Sequence, residues 1–197
     1  MVLAALLASL TITSALLLAL APAPLTPDAS RSLVMLDQNG ALDLIFDTDT
    51  SIRPGRWQYI YIHHSKAPGG NALSIGQRTG GILDHFLIGN GNGSENGEIQ
   101  VGQRWTLQQP AGILGHKQPL PQLSGAADNY ISICLVGDFD QAPPTPRQLT
   151  QLQQLVQALQ RRLGIPGASV LAFDRPGNSA GIGRQFPAVA FSQYLLP

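Results

Sequence analysis

The segment at 145–164, TPRQLTQLQQLVQALQRRLG, constrains the fold more than any other. Leu149, Leu152, Leu155, Val156, Leu159 and Leu163 recur at helical spacing and gather into one apolar stripe. Thr145 suits the N-cap and Pro146 the first turn, Arg161 and Arg162 complement the carbonyl end of the helix dipole, and Gly164 ends the helix. A helix apolar on one side needs one apolar layer to lie on. The runs around it supply that layer. QYIYIHH (58–64), NYISICLVG (129–137) and ASVLAF (168–173) are short β-branched and aromatic runs that read as strands. DHFLI (84–88) and EIQVGQRW (98–105) read as two more, joined by the loop GNGNGSENGE (89–98), whose Asn-Gly steps tolerate positive φ cheaply. Its glycines do not fit G-x-G-x-x-G and a strand follows, which argues against a nucleotide site. With a short helical segment at 72–77, the expectation is an α/β domain, a mixed β-sheet flanked by helices.

Residues 1–27 stand apart from this pattern. They carry no charged side chain, and VLAALLASLTITSALLLALA matches the about 20 apolar residues that cross a bilayer. PAPLTP (22–27) follows as a stiff spacer. The segment reads as a signal peptide or membrane anchor outside the globular fold: Ala19-Leu20-Ala21 offers small residues for cleavage, but no basic region precedes it. Residues 28–55 read as an N-terminal extension and 56–197 as a single folded domain, in keeping with a length of 197 residues. The 12 basic side chains offset the 12 acidic ones without a basic run, so a nucleic-acid partner is not expected. Cys134 is the only cysteine; it forms no internal disulfide, and its apolar strand neighbours make it a core thiol.

His63, His64, His85 and His116 are the four histidines. Period-two alternation puts His63 on one strand face with Tyr59 and Tyr61, and His64 on the other with Ile60 and Ile62, so the two cannot serve one site. In chain order, WQYIYIHHSKAPGGNA, DHFLIGNGNGSENGEIQVGQRW, GHK, NYISICLVGDF and PTPRQLTQLQQL resemble the N-acetylmuramoyl-L-alanine amidase type 2 family, which includes peptidoglycan recognition proteins. The resemblance covers about residues 56–187. It implies a mixed sheet flanked by helices and a groove where zinc and its water cleave the amide between the sugar lactyl group and the stem peptide.

Carried over residue by residue, the resemblance puts the family's first zinc histidine on His63. It puts the second histidine ligand on Phe173, or on Leu171 if no gap is allowed, and the cysteine ligand on Gly181, side chains with no lone pair to give. The family's active-site tyrosine falls on Asp84, and its threonine or lysine on Ser179. A catalytic zinc needs three protein ligands and an open position. The expectation is therefore a domain without a resident cofactor that binds peptidoglycan or muropeptides and does not cleave them. Its groove residues are His63, Asp84, His85, His116, Phe173, Ser179 and Arg184. Asp174 and Asp84 are the candidate substitute ligands beside His63, although Asp174, one residue past the expected position, is turned by a regular strand to the opposite face. An active zinc amidase with such substitutes is the alternative, and an envelope scaffold that binds another protein is a third reading. Leader and family together place the domain outside the cytoplasm, in the periplasm or cell envelope, with a membrane contact if the leader is uncut.

Overall fold

The computed structural model describes residues 31–33, 42–77, 81–112, 128–172 and 182–197. Its strands are β1 (Arg31–Leu33), β2 (Tyr59–His64), β3 (Phe86–Ile88), β4 (Ile99–Val101), β5 (Tyr130–Leu135) and β6 (Val170–Leu171). They form one sheet in the order β1-β4-β3-β5-β2-β6. From β3 to β6 the neighbours run parallel, while β4 is antiparallel to both β3 and β1. The sheet is thus mixed, as the sequence pattern implies. Its helices are α1 (Ala72–Gly76), α2 (Gln103–Thr106), α3 (Pro146–Leu163) and α4 (Ala188–Ser192).

Alternation along the strands divides the core in two. Ile60, Ile62, Phe86, Ile88, Ile131, Ile133 and Leu135 share the main cluster with Leu152, Leu155, Val156 and Leu159 of α3. Leu87, Cys134 and Val136 on the other face join Ala72 and Ile82 in a smaller cluster. The apolar stripe read in 145–164 is the half of α3 that closes the first of these. Thr145 caps α3 by accepting from the Gln148 backbone, and Gly164 ends it at φ 70°, a left-handed value that glycine adopts without strain. Gln148 completes a capping box, and its buried Nε2 donates to the carbonyls of Ile88 and Val136. The helix start is thereby tied to the carboxyl ends of the strands that carry the site.

Three elements differ from the sequence expectation. The run at 98–105 is a strand only to Val101; after Gly102 it turns into α2, which places the fully buried Trp105 beside Phe86 with its indole N–H on the Ile45 carbonyl. The run at 168–173 shortens to β6, because Pro166 opens a 3₁₀ turn at Gly167–Ser169 whose Ser169 N–H returns to the Pro166 carbonyl. Residues 42–46, read as part of an extension, contribute Leu42 and Ile45 to the main core, and β1 adds an edge strand. No helix among the described residues is long and apolar enough to cross a membrane; residues 1–27 lie outside them.

Candidate functional site

Register builds the site. His63 pairs with Cys134 across the β2–β5 ladder, Tyr61 pairs with Ser132, and Leu87 of β3 faces Cys134 from the other side. These side chains share the sheet face turned away from α3, and Asp84, just before β3, reaches in beside them. His63 Nε2 lies 2.7 Å from Asp84 Oδ1, and the same oxygen accepts the hydroxyl of Ser132. The Tyr61 ring stacks on the His63 ring, with centroids 5.5 Å apart and planes 17° apart, and Tyr130 meets Tyr61 edge-on at 6.4 Å. His63 and Asp84 keep only 16% and 10% of their side-chain surface exposed.

Hydrogen-bond accounting fixes the protons. The His63 Nδ1 faces the His64 carbonyl at 3.2 Å, which can only accept, and Nε2 faces a carboxylate that already accepts from Ser132. Both ring nitrogens therefore donate, and the ring is an imidazolium assigned from its network. Electrostatics agree. Burial works against the charged form of His63, but the Asp84 charge and hydrogen bond outweigh it and hold the group above the ordinary histidine value. Burial would likewise raise Asp84, yet His63 and the Ser132 hydroxyl hold it below the usual carboxylate range. Burial first, and then the Asp84 charge, push the Cys134 thiol well up, so it stays protonated.

The other described histidines are spent on structure. His64 Nδ1 accepts the Phe139 N–H at 2.8 Å while its ring stacks on Phe139 at 5.3 Å, so the proton of the neutral ring sits on Nε2. Burial, followed by the nearby Lys66 charge, lowers its pKa. His85 is a correction to the expected groove set. It is fully buried, wedged edge-on against Trp57 at 4.8 Å, with Nδ1 accepting from Ser132 N and Nε2 donating to the Gln109 carbonyl. Its side chain takes the face opposite to Asp84, and burial lowers its pKa to about 4. It crosslinks β5 to the chain after α2.

The donor atoms of His63, Asp84 and Cys134 lie within 4.8 Å of one another, as do those of His64, Asp138 and Asp140. As they stand, the histidines of both sets are already hydrogen-bonded. A ligand nitrogen must offer a lone pair at roughly 2.0–2.1 Å, so a metal here would have to displace the His63–Asp84 contact with its proton, or the Phe139 N–H on His64. The 2.7 Å separation of His63 from Asp84 is that of a hydrogen bond, and the Cys134 thiol is held neutral by its surroundings. Phe173, Asp174, Ser179, Gly181 and His116 lie outside the described residues. Arg184 is exposed and pairs with Asp140 at 3.6 Å, on the side of His64.

The structure thus brings together two of the expected residues, His63 and Asp84, and adds Tyr61, Ser132, Cys134 and Tyr130. Ser132 carried a readable signal: a lone hydroxyl in ISICLV, two positions from Cys134, marks the strand face shared with His63 once β2 and β5 are paired.

A family model described as N-acetylmuramoyl-L-alanine amidase matches residues 53–179, more than half of the chain, and includes both His63 and Asp84. The chain belongs to the N-acetylmuramoyl-L-alanine amidase family. No curated protein matches it. Among solved structures it is similar to an endolysin N-acetylmuramoyl-L-alanine amidase, LysCS, from Clostridium intestinale, with 21% identity and a TM-score of 0.45 over 71% of this chain and 85% of that one. It is also similar to a PGRP-Hd from Alvinella pompejana, with 16% identity and a TM-score of 0.41 over 72% of this chain and 88% of that one. A bumblebee PGRP-SA gives 15% identity and a TM-score of 0.44 over 71% and 87% respectively.

Proposed function

We propose that this amidase-family domain recognises peptidoglycan fragments and does not hydrolyse them. One observation carries the reading: the His63 nitrogen that a zinc would need is already engaged with the Asp84 carboxylate, at 2.7 Å. Hydrolysis of an unactivated amide near neutral pH requires an activated water, and a metal-free imidazolium can neither polarise a carbonyl as a Lewis acid nor lower the pKa of a bound water. What remains suits recognition. A nearly buried histidine and carboxylate with two tyrosine rings beside them give a few placed polar groups against apolar walls, the usual character of a small-ligand site. In this reading Phe173 and Ser179 add an apolar wall and a hydroxyl, and His116 a further polar contact. The leader exports the domain to the periplasm or cell envelope, and holds it at the membrane where uncut.

Co-sedimentation of the purified chain with cell-wall sacculi, with the soluble products of a long incubation analysed for released stem peptides, tests this reading. The expected outcome is retention on the sacculi at low salt with no released peptide. Released L-alanyl peptides would establish the active amidase instead, and absence of retention would favour a scaffold for a protein partner.

A further inference from the structure

The loop between β3 and β4 holds three Asn-Gly steps, Asn90-Gly91, Asn92-Gly93 and Asn96-Gly97. Asparagine is a chemically labile residue, and a following glycine puts no Cβ in the way of its side chain. The three steps are alike in sequence and unlike in structure. At the last of them Gly97 is buried, its N–H donates to the Gly89 carbonyl at 2.8 Å, and Asn96 Oδ1 accepts the Thr145 hydroxyl at 2.6 Å. At the first, both ends of the half-buried Asn90 amide are used: Nδ2 donates to the Pro68 carbonyl at 3.0 Å, and Oδ1 accepts the Asn92 N–H at 3.0 Å. Asn92 is exposed and held least. Among the described residues its Oδ1 accepts no hydrogen bond, its Nδ2 makes one, to the same Pro68 carbonyl at 3.3 Å, and the Gly93 N–H meets no acceptor.

We propose that Asn92 is a site of spontaneous modification, converting to aspartate or isoaspartate ahead of Asn90 and Asn96, and that the change loosens the loop after β2 from the loop after β3. The reaction needs only water and stands apart from the recognition reading. The Gly93 nitrogen attacks the Asn92 side-chain carbonyl carbon and gives up its proton. A new N–C bond closes a cyclic imide, the Cγ–Nδ2 bond breaks, and the amide nitrogen leaves as ammonia with that proton. Water then adds to either imide carbonyl and reopens the ring, giving aspartate or isoaspartate. What the change breaks is visible in the loops. Residues 89–94 hold 65–71 through Asn90 and Asn92 Nδ2 on the Pro68 carbonyl, the Ser94 hydroxyl on the Gly70 carbonyl, and the Asn92 carbonyl, which accepts the Gly70 N–H at 2.7 Å. A carboxylate at 92 has no N–H to give Pro68. The isoaspartyl link also lengthens the main chain by one carbon and turns the carbonyl that serves Gly70 into a side carboxylate. Lys66, Pro68 and Asn90 line a cavity of about 410 Å³, so the loosening reaches its wall.

Ageing the purified full chain at mildly alkaline pH, with peptide mapping by mass spectrometry at intervals, reads the order directly, because each conversion adds the mass difference between an amide NH2 and a hydroxyl. The expected result is conversion at Asn92 faster than at Asn90 by about fivefold or more, the effect of one further hydrogen bond to be freed, with Asn96 slowest. Ageing in urea should bring the three rates together, since only the shared Asn-Gly sequence remains there. In the aged folded chain, amide hydrogen exchange at Gly70 should quicken relative to fresh protein. Asn90 or Asn96 converting as fast as Asn92 in the folded chain, or an order that persists in urea, overturns the inference. Unaltered exchange at Gly70 in protein converted at position 92 overturns it as well. All of these comparisons use the wild-type chain, so none depends on whether a variant folds.

Discussion

Replacing Asp84 with Asn removes one charge and little volume from the floor of the groove, which makes it a sharp perturbation of His63. Asparagine keeps an oxygen that can accept from Nε2 and from Ser132, so the geometry of the 2.7 Å contact survives while its charge does not. A hydrogen bond between charged groups contributes about 1.5–3 kcal/mol, against about 1 kcal/mol for a neutral one. The difference, at 1.36 kcal/mol per unit, corresponds to a fall of roughly one unit in the His63 pKa, to which the lost long-range attraction adds. Because burial alone lowers the pKa of this ring, the variant is expected to titrate below the ordinary histidine value, whereas the wild type titrates above it. Stability follows in sign. The His63 contribution is present below the unfolded histidine pKa and is lost as pH rises through the raised folded value; the Asp84 contribution is present above the unfolded carboxylate pKa and is lost as pH falls through the depressed one. The stability gap between wild type and Asp84→Asn should therefore be widest between these limits, at about 2 kcal/mol, and should narrow on the alkaline side. Nitrogen-15 NMR titration of the ring with urea unfolding at pH 6 and pH 9 measures both. An unchanged His63 pKa in the variant, or a gap equal at the two pH values, would refute the ion pair.

Gln148→Leu keeps the volume at the start of α3 but leaves the Val136 carbonyl and the Thr145 N–H without their partner, while the Ile88 carbonyl still accepts the Val136 N–H, so it should cost about 2 kcal/mol in urea unfolding. Leu155→Ala, at a fully buried position of α3, should cost about 2–5 kcal/mol in the same assay. His85 is buried neutral with its pKa lowered to about 4, so the unfolded chain binds its proton first and stability should fall as pH drops from about 6.5 toward 4. In His85→Gln that part of the slope should flatten, a comparison that thermal unfolding across the range makes directly.

Much of the fold was legible because its main determinants are local. The α3 stripe, its cap and its terminating glycine are written in one stretch of sequence, and β2, β3 and β5 are runs whose apolar residues match both faces of a covered sheet. What escaped depends on tertiary partners. Nothing local to QRWT announces a helical turn; it forms because the Trp105 ring must pack on Phe86 while its indole N–H finds the Ile45 carbonyl. The site divides in the same way. Alternation alone separated His63 from His64, and the structure keeps them in different networks. The identity of the His63 partner needed the β2–β5 register and the approach of Asp84 from before β3, neither of which spacing reveals. His85 follows Asp84 in sequence but turns to the tryptophans, since one step along an extended chain reverses the face.

In the recognition reading proposed above, the Asp84 carboxylate on His63 takes the place of a catalytic metal. Dialysis of the purified full chain against zinc at neutral pH, followed by elemental analysis, addresses it most directly. The account predicts no zinc retained above the level of a His63→Ala control. About one zinc per chain, tightly held and lost in that control, would contradict it.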